Sequence, residues 1–224
     1  MRTLLATAAM AAMVACGPGE EPRRPATAQP RAADASAVQS SRSRVVVLGD
    51  SLTAGLGLDP GQAYPTLLQQ KIDAEGLNYA VANAGVSGDT SAGGAGRLDW
   101  ALGTDTRILV VALGGNDALR GLPTEELSRN LSTIIEGAQA RGIVVLLAGM
   151  EAPPNFGQSY ATAFRRVYGD LAKKYDVALV PFLLQGVAGV ETLNQRDGIH
   201  PTADGARIIA DTVWGALRPM LTTP

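Results

Sequence analysis

From Arg44 onward, short apolar runs alternate with longer stretches whose apolar residues recur at helical spacing. The runs Val45–Leu48, Tyr79–Ala82, Ile108–Leu113, Ile143–Ala148 and Val177–Val180 are rich in branched side chains and bounded by Gly, Asn or Asp. Runs of that length and composition predict strands buried on both faces. Between them, Tyr64–Ala74, Ala92–Leu102, Thr124–Ala140 and Tyr160–Tyr175 read as helices, with a closing helix over Ala203–Leu217. The third begins after Pro123 with Glu125 and Glu126 in its first turn, where acidic side chains favour a helix start. Its Leu127, Leu131, Ile134 and Ile135 share one face, and Gly142 closes it before the next strand.

Regular strand–helix alternation requires parallel strands joined by right-handed crossovers. The expected fold is therefore α/β: a three-layer α/β/α domain around a flavodoxin-like open sheet of about five parallel strands. Such sheets bind ligands beyond the carboxyl ends of their strands. Gly49-Asp50-Ser51-Leu52 follows the first strand, Asn83 to Gly88 the second and Gly114-Gly115-Asn116-Asp117 the third. Asp197–His200 lies between the fifth strand and the last helix. Fold logic alone puts all four segments on one edge. Trp100, Trp214 and Phe182 lie in or beside apolar stretches and are expected in the core.

The pattern upstream is different. Met1-Arg2 precedes an apolar stretch, Leu4–Val14, too short to span a bilayer and shaped like an export signal. It ends Met13-Val14-Ala15-Cys16, which resembles the bacterial lipoprotein processing box, with Met13 where leucine is usual. That resemblance implies that Cys16 becomes a lipidated first residue; the alternative is an ordinary secretory signal with Cys16 incidentally near the cut. Gly17 after Cys16, rather than an aspartate, resembles sorting to the outer membrane. Residues 17–43 are Pro, Ala, Ser, Gln, Arg and Glu with almost no large apolar side chain, too little to offset ordering entropy. We expect a signal over residues 1–15, a disordered tether over 16–43 and one domain over 44–222. The protein would then be exported and sit on the periplasmic side of a bacterial membrane, held there by its lipid.

Composition narrows the function. Hydrophobic residues at 46% and charged residues at 18% suit a soluble globular domain. A net charge of -2 and 4% aromatics give no footprint for nucleic acid. One cysteine and one histidine exclude an internal disulfide and the usual zinc ligand sets. No dinucleotide or P-loop glycine pattern follows a strand.

The single histidine is the sharpest clue. A general base acting near neutral pH is most often histidine, and here only His200 is available. Asp197, three residues earlier on a loop, can fold back to accept its Nδ1–H and leave Nε2 to take a proton from a hydroxyl. Ser51 offers that hydroxyl at a strand-to-helix junction, although its surroundings do not fit the G-x-S-x-G elbow. The glycines of 85–88 and 114–115 allow close backbone approach, and Asn116 adds an amide donor, as a tetrahedral oxyanion needs. Each feature also has a plain reading: Ser51 as a helix cap, Asp197–His200 as a turn, the glycine segments as turns.

Taken together and in this order, the four segments resemble the SGNH (GDSL) hydrolase superfamily. Asn83–Thr90, Leu113–Gly121 and Asp197–Pro201 are similar to its bacterial thioesterase I, lysophospholipase L1 and arylesterase subgroup nearly residue for residue. Two departures are Gly93-Gly94, which make the segment after the second motif unusually small, and the lipoprotein-like leader in place of a plain periplasmic signal. The resemblance implies a serine esterase acting on acyl esters and thioesters. It implies Ser51 as nucleophile, His200 as base and Asp197 as its orienter, with the Ser51 N–H, the Gly88 N–H and the Asn116 amide as oxyanion donors. Asp50 is implied to support the loop. Leu119, Pro154, Asn155 and Phe156 are implied to border the acyl pocket. No metal or organic cofactor is implied, and we expect a monomer acting on a small-molecule substrate. The alternatives are a carbohydrate O-deacetylase of the same superfamily and a non-catalytic lipid-binding lipoprotein.

Overall fold

Val45, Val46, Val47 and Leu48 have no solvent exposure at all, and each contributes about 1.5–3 kcal/mol relative to an exposed side chain. They form the centre of β1 (Ser43–Gly49) in a computed structural model that describes residues 42–222. The leader, Cys16 and most of the expected tether lie outside the described residues. The other strands are β2 (Tyr79–Gly85), β3 (Thr106–Ala112), β4 (Val144–Ala148) and β5 (Ala178–Val180). All pairings are parallel, in the order β2-β1-β3-β4-β5. The expected flavodoxin-like order is what the sheet has. Only the inner strands are buried on both faces, however. β2 and β5 lie at the edges, and most of their residues are partly exposed.

The helices are α1 (Ser51–Ala54), α2 (Tyr64–Ala74), α3 (Ser91–Gly96), α4 (Leu98–Ala101), α5 (Gly115–Leu119), α6 (Thr124–Gln139), α7 (Gln158–Tyr175) and α8 (Ala203–Thr222). Packing of α2 on α8 forms one layer, and α3, α6 and α7 pack in a row as the other. On α6, Leu127, Leu131, Ile134 and Ile135 are fully buried, as their spacing predicts. The expected helix over Ala92–Leu102 is instead two short ones, broken at Arg97. Gly93, Gly94 and Gly96 are poor helix formers and account for the break. With Leu98 turned inward on that single turn, Trp100 points away and is 79% exposed, contrary to the core position expected of it. Trp214 packs against the core. Arg42 and Ser43, expected at the end of the tether, belong to the folded part. Ser43 opens β1, and Arg42 pairs with Asp73 at 2.5 Å and donates to the Leu77 carbonyl at 3.3 Å.

At the carboxyl edge, α1 lies directly against β2. A side chain at Gly85 would overlap the backbone of Thr53 and Ala54. Asn83 Nδ2 donates to the Thr53 carbonyl at 2.8 Å, and the buried Thr53 and Tyr64 hydroxyls share a 2.7 Å hydrogen bond. Replacing Gly85 with alanine should therefore force α1 from the sheet and cost about 1–3 kcal/mol, the usual scale of overpacking. Urea unfolding checks this against Gly61→Ala, whose added methyl would meet nothing within 4 Å and should leave the midpoint close to wild type.

Candidate active site

The order reversal between β1 and β3 opens the crevice in which this class of sheet binds ligands. The turn after β1 places Asp50 as the N-cap of α1, its carboxylate accepting the Leu52 N–H at 3.0 Å. Ser51 follows as the first helical residue and is 9% exposed. Its Oγ lies 2.8 Å from Nε2 of His200, whose Nδ1 lies 2.6 Å from Asp197 Oδ2. Asp197 Oδ1 accepts the N–H groups of Ile199 and His200 at 2.9 and 3.0 Å. This back-folding requires a tight turn, and Gly198 supplies it at φ +70°.

Nothing in the D-x-x-H motif announces how its loop is tied to Ser51. The tie is Gln195, whose Nε2 donates to the Leu56 carbonyl just beyond α1 and to the Pro201 carbonyl, at 2.8 and 2.9 Å. Its backbone N–H donates to the His200 carbonyl at 2.7 Å, and Asn194 bridges to Pro201. Position beside the motif was the only sequence signal for these two residues. Sequence reasoning passed over both.

Gly88 and Asn116 reach the same place from β2 and β3. Asn116 Nδ2 donates to the Asp89 carbonyl at 2.9 Å and approaches Asp50 Oδ2 at 3.3 Å. Arg120 donates to the Gly88 carbonyl at 2.8 Å. Behind this rim, Asp117 is buried and accepts from the Ser91 N–H and hydroxyl at 2.8 and 2.5 Å, tying α3 to α5.

These groups surround a cavity of about 710 Å³ that Ser51, Gly88, Asn116 and His200 line together. Its walls are largely apolar, with Leu56, Leu119, Met150, Phe182, Leu184 and Ile199 among them. Of the four residues expected to border the acyl pocket, Leu119 and Pro154 are among those that line this cavity. Asn155 and Phe156 are not. They sit on the outer side of the 3-10 turn Pro154–Phe156, where the Phe156 ring leans on Tyr160 with centroids 5.5 Å apart. Phe182, expected in the core, lines the cavity instead. Among the described residues, no cluster of three or more His, Cys, Asp or Glu is placed to hold a metal ion.

Two carboxylates flank the histidine and have opposite electrostatics. Bonding to the His200 ring, and then to the His200 and Ile199 N–H groups, holds Asp197 well below the usual carboxylate range. Burial pushes Asp50 up to about 6, only partly offset by its bond from Leu52. Asp197 is built to stay charged, whereas ionising Asp50 is costly.

Residues 47–208 match the GDSL-like Lipase/Acylhydrolase family. The chain is 46% identical over 184 residues to the esterase TesA of Pseudomonas aeruginosa, covering 82% of this chain and 92% of that one. It is 38% identical over 178 residues to the thioesterase 1/protease 1/lysophospholipase L1 of Escherichia coli K12, covering 79% and 84% respectively. A crystal structure of TesA superposes with a TM-score of 0.76 at 45% identity, covering 79% of this chain and 99% of that one.

The raised Asp50 implies a pH-dependent stability of defined sign. Between about pH 4 and pH 6 the folded chain retains a proton there that the unfolded chain has released, so stability falls as pH rises through that window. Asp197 acts oppositely: its contribution is present above the unfolded value and is lost as pH drops below about 4. Asp50→Asn keeps an acceptor for Leu52 and removes the first effect. From pH 4 to pH 7, wild type should lose up to about 3 kcal/mol relative to that variant in urea unfolding. A difference independent of pH would contradict the assignment.

Proposed function

This chain belongs to the GDSL-like Lipase/Acylhydrolase family, a hydrolase of esterase and thioesterase type, and we propose that it works through an acyl-enzyme formed on Ser51. The observation that carries this reading is the 2.8 Å approach of Ser51 Oγ to His200 Nε2 at the wall of the cavity. Asp197 accepts the Nδ1–H, which sets the tautomer and leaves Nε2 as the base. As Oγ bonds to the acyl carbon, its proton passes to Nε2. The carbonyl oxygen becomes an oxyanion held by the Ser51 N–H, the Gly88 N–H and the Asn116 amide. Each such donor is worth about 2.7–4 kcal/mol of barrier. Collapse breaks the bond to the leaving oxygen or sulfur, which departs with the proton from Nε2. Water, deprotonated in turn by His200, then attacks the acyl carbon and frees Ser51.

The apolar walls support acyl esters and thioesters over acetylated sugars, whose hydroxyl groups would lose hydrogen-bond partners there. Every group in the sequence above comes from one chain, which supports action as a monomer. The leader supports export and attachment through lipidated Cys16 to the periplasmic side of a membrane, with Gly17 favouring the outer one. Several acyl chains would give stable anchoring at about 0.8 kcal/mol per buried CH₂.

Ser51→Ala tests the reading. It should abolish hydrolysis of aryl and acyl-thio esters together with labelling by a fluorophosphonate, while wild type prefers these substrates to acetylated sugars. Labelling that survives in Ser51→Ala would refute the nucleophile, and a wild-type preference for acetylated sugars would refute the substrate class.

A further inference from the structure

Arg97 stands where the expected helix over Ala92–Leu102 breaks, and its side chain turns under the site rather than into solvent, at 16% exposure. Its guanidinium reaches three acceptors from three segments. Nη2 donates to the carbonyl of Gly49, the last residue of β1, at 2.9 Å. Nη1 donates to the Ala84 carbonyl near the end of β2 at 2.8 Å. Nε donates to Asp89 Oδ2 at 2.6 Å. Gly49 precedes Asp50 and Ser51, and Asp89 follows Gly88. One cation thus ties down the residues adjoining two backbone N–H groups of the oxyanion site.

The third donor is reached through Asp89. Its carbonyl takes one hydrogen of the Asn116 amide at 2.9 Å. That bond sets the amide plane and leaves the second hydrogen to the longer 3.3 Å approach to Asp50. An oxyanion can compete for this second hydrogen, because its present bond is weak. The small residues after the second motif also gain a reason. A Cβ at Gly93 would come within 2.5 Å of Asp89 Oδ1, so this carboxylate lies flat on the backbone of α3 with its other oxygen turned to Arg97.

We propose that Arg97 is a positioning residue for the oxyanion site: through Asp89 it sets the Asn116 amide, and through Gly49 and Ala84 it holds the strand ends that present Ser51 and Gly88. This rests on reading Asn116 as an oxyanion donor. A planar fork that makes bonds in three directions at once is a task for arginine that a lysine ammonium does not reproduce. Loosening such a support by about 1 Å can cost on the order of 100-fold in rate without removing any group that touches the substrate.

The test is a double-mutant cycle on aryl-ester hydrolysis with wild type, Arg97→Ala, Asn116→Ala and the double variant, each also followed by urea unfolding. Arg97→Ala should lower kcat about 10- to 100-fold and leave KM essentially unchanged. Millimolar guanidinium should restore part of that loss. Asn116→Ala should lower kcat about 100- to 1000-fold, and adding Arg97→Ala to it should cost clearly less than Arg97→Ala costs in wild type, because the part of the loss that runs through Asn116 is already taken. Multiplying losses, or an Arg97→Ala effect confined to KM or to the unfolding midpoint, would overturn the role of Arg97 while leaving the oxyanion assignment intact. Wild-type kcat in Asn116→Ala would instead overturn the oxyanion assignment itself. If Arg97→Ala does not fold, Arg97→Lys, which retains the charge without the fork, takes its place in the cycle with the same criteria.

Discussion

The hydrogen bond between Ser51 and His200 joins residues 149 positions apart in the chain, and both ends must arrive with a tolerance of a few tenths of an ångström. Parallel pairing makes this possible. Every strand releases its chain at the same edge, so loops distant in sequence emerge side by side. The remaining precision is local and polar. Asn83 and Tyr64 hold α1, Gln195 and Asn194 hold the histidine loop, and Arg97 gathers the ends of β1 and β2. The buried core brings these elements near one another, and hydrogen bonds to specific carbonyls set the final distances.

The two acidic side chains near the histidine show how environment divides one chemical type into two uses. Asp197 is half-exposed yet meets three donors, so its charge is favoured. Asp50 is shielded from water and meets fewer, so its charge is resisted. Asp50 lies beside Ser51 in sequence and Asp197 lies far from it, yet it is Asp197 that bonds the His200 ring. What selects Asp197 is its spacing of three from the sole histidine, which matches the turn geometry of a loop.

Strand order, the buried face of α6 and the meeting of Ser51 with His200 were legible because each depends on periodicity or on scarce residue types. The edge character of β2 and β5 was not, since an apolar run looks the same whether or not a neighbour covers it. Trp100 misled because hydrophobicity alone does not say which way a single helical turn faces. Phe156 and Phe182 departed from expectation for a similar reason. Both flank loops whose side-chain directions depend on turns that the sequence pattern does not encode. Arg97 and Gln195 left no trace in any motif, because their work is done on backbone carbonyls, which every residue carries.

The polarity of β1 has a consequence for anything joined upstream. The chain enters the sheet at Ser43 and reaches the reaction edge only after Gly49, a rise of about 23 Å at roughly 3.3 Å per residue. Whatever precedes Arg42, whether lipid, leash or an added tag, is therefore fastened to the pole opposite the cavity mouth. A support joined to Arg42 would therefore hold the described fold by the pole away from the cavity.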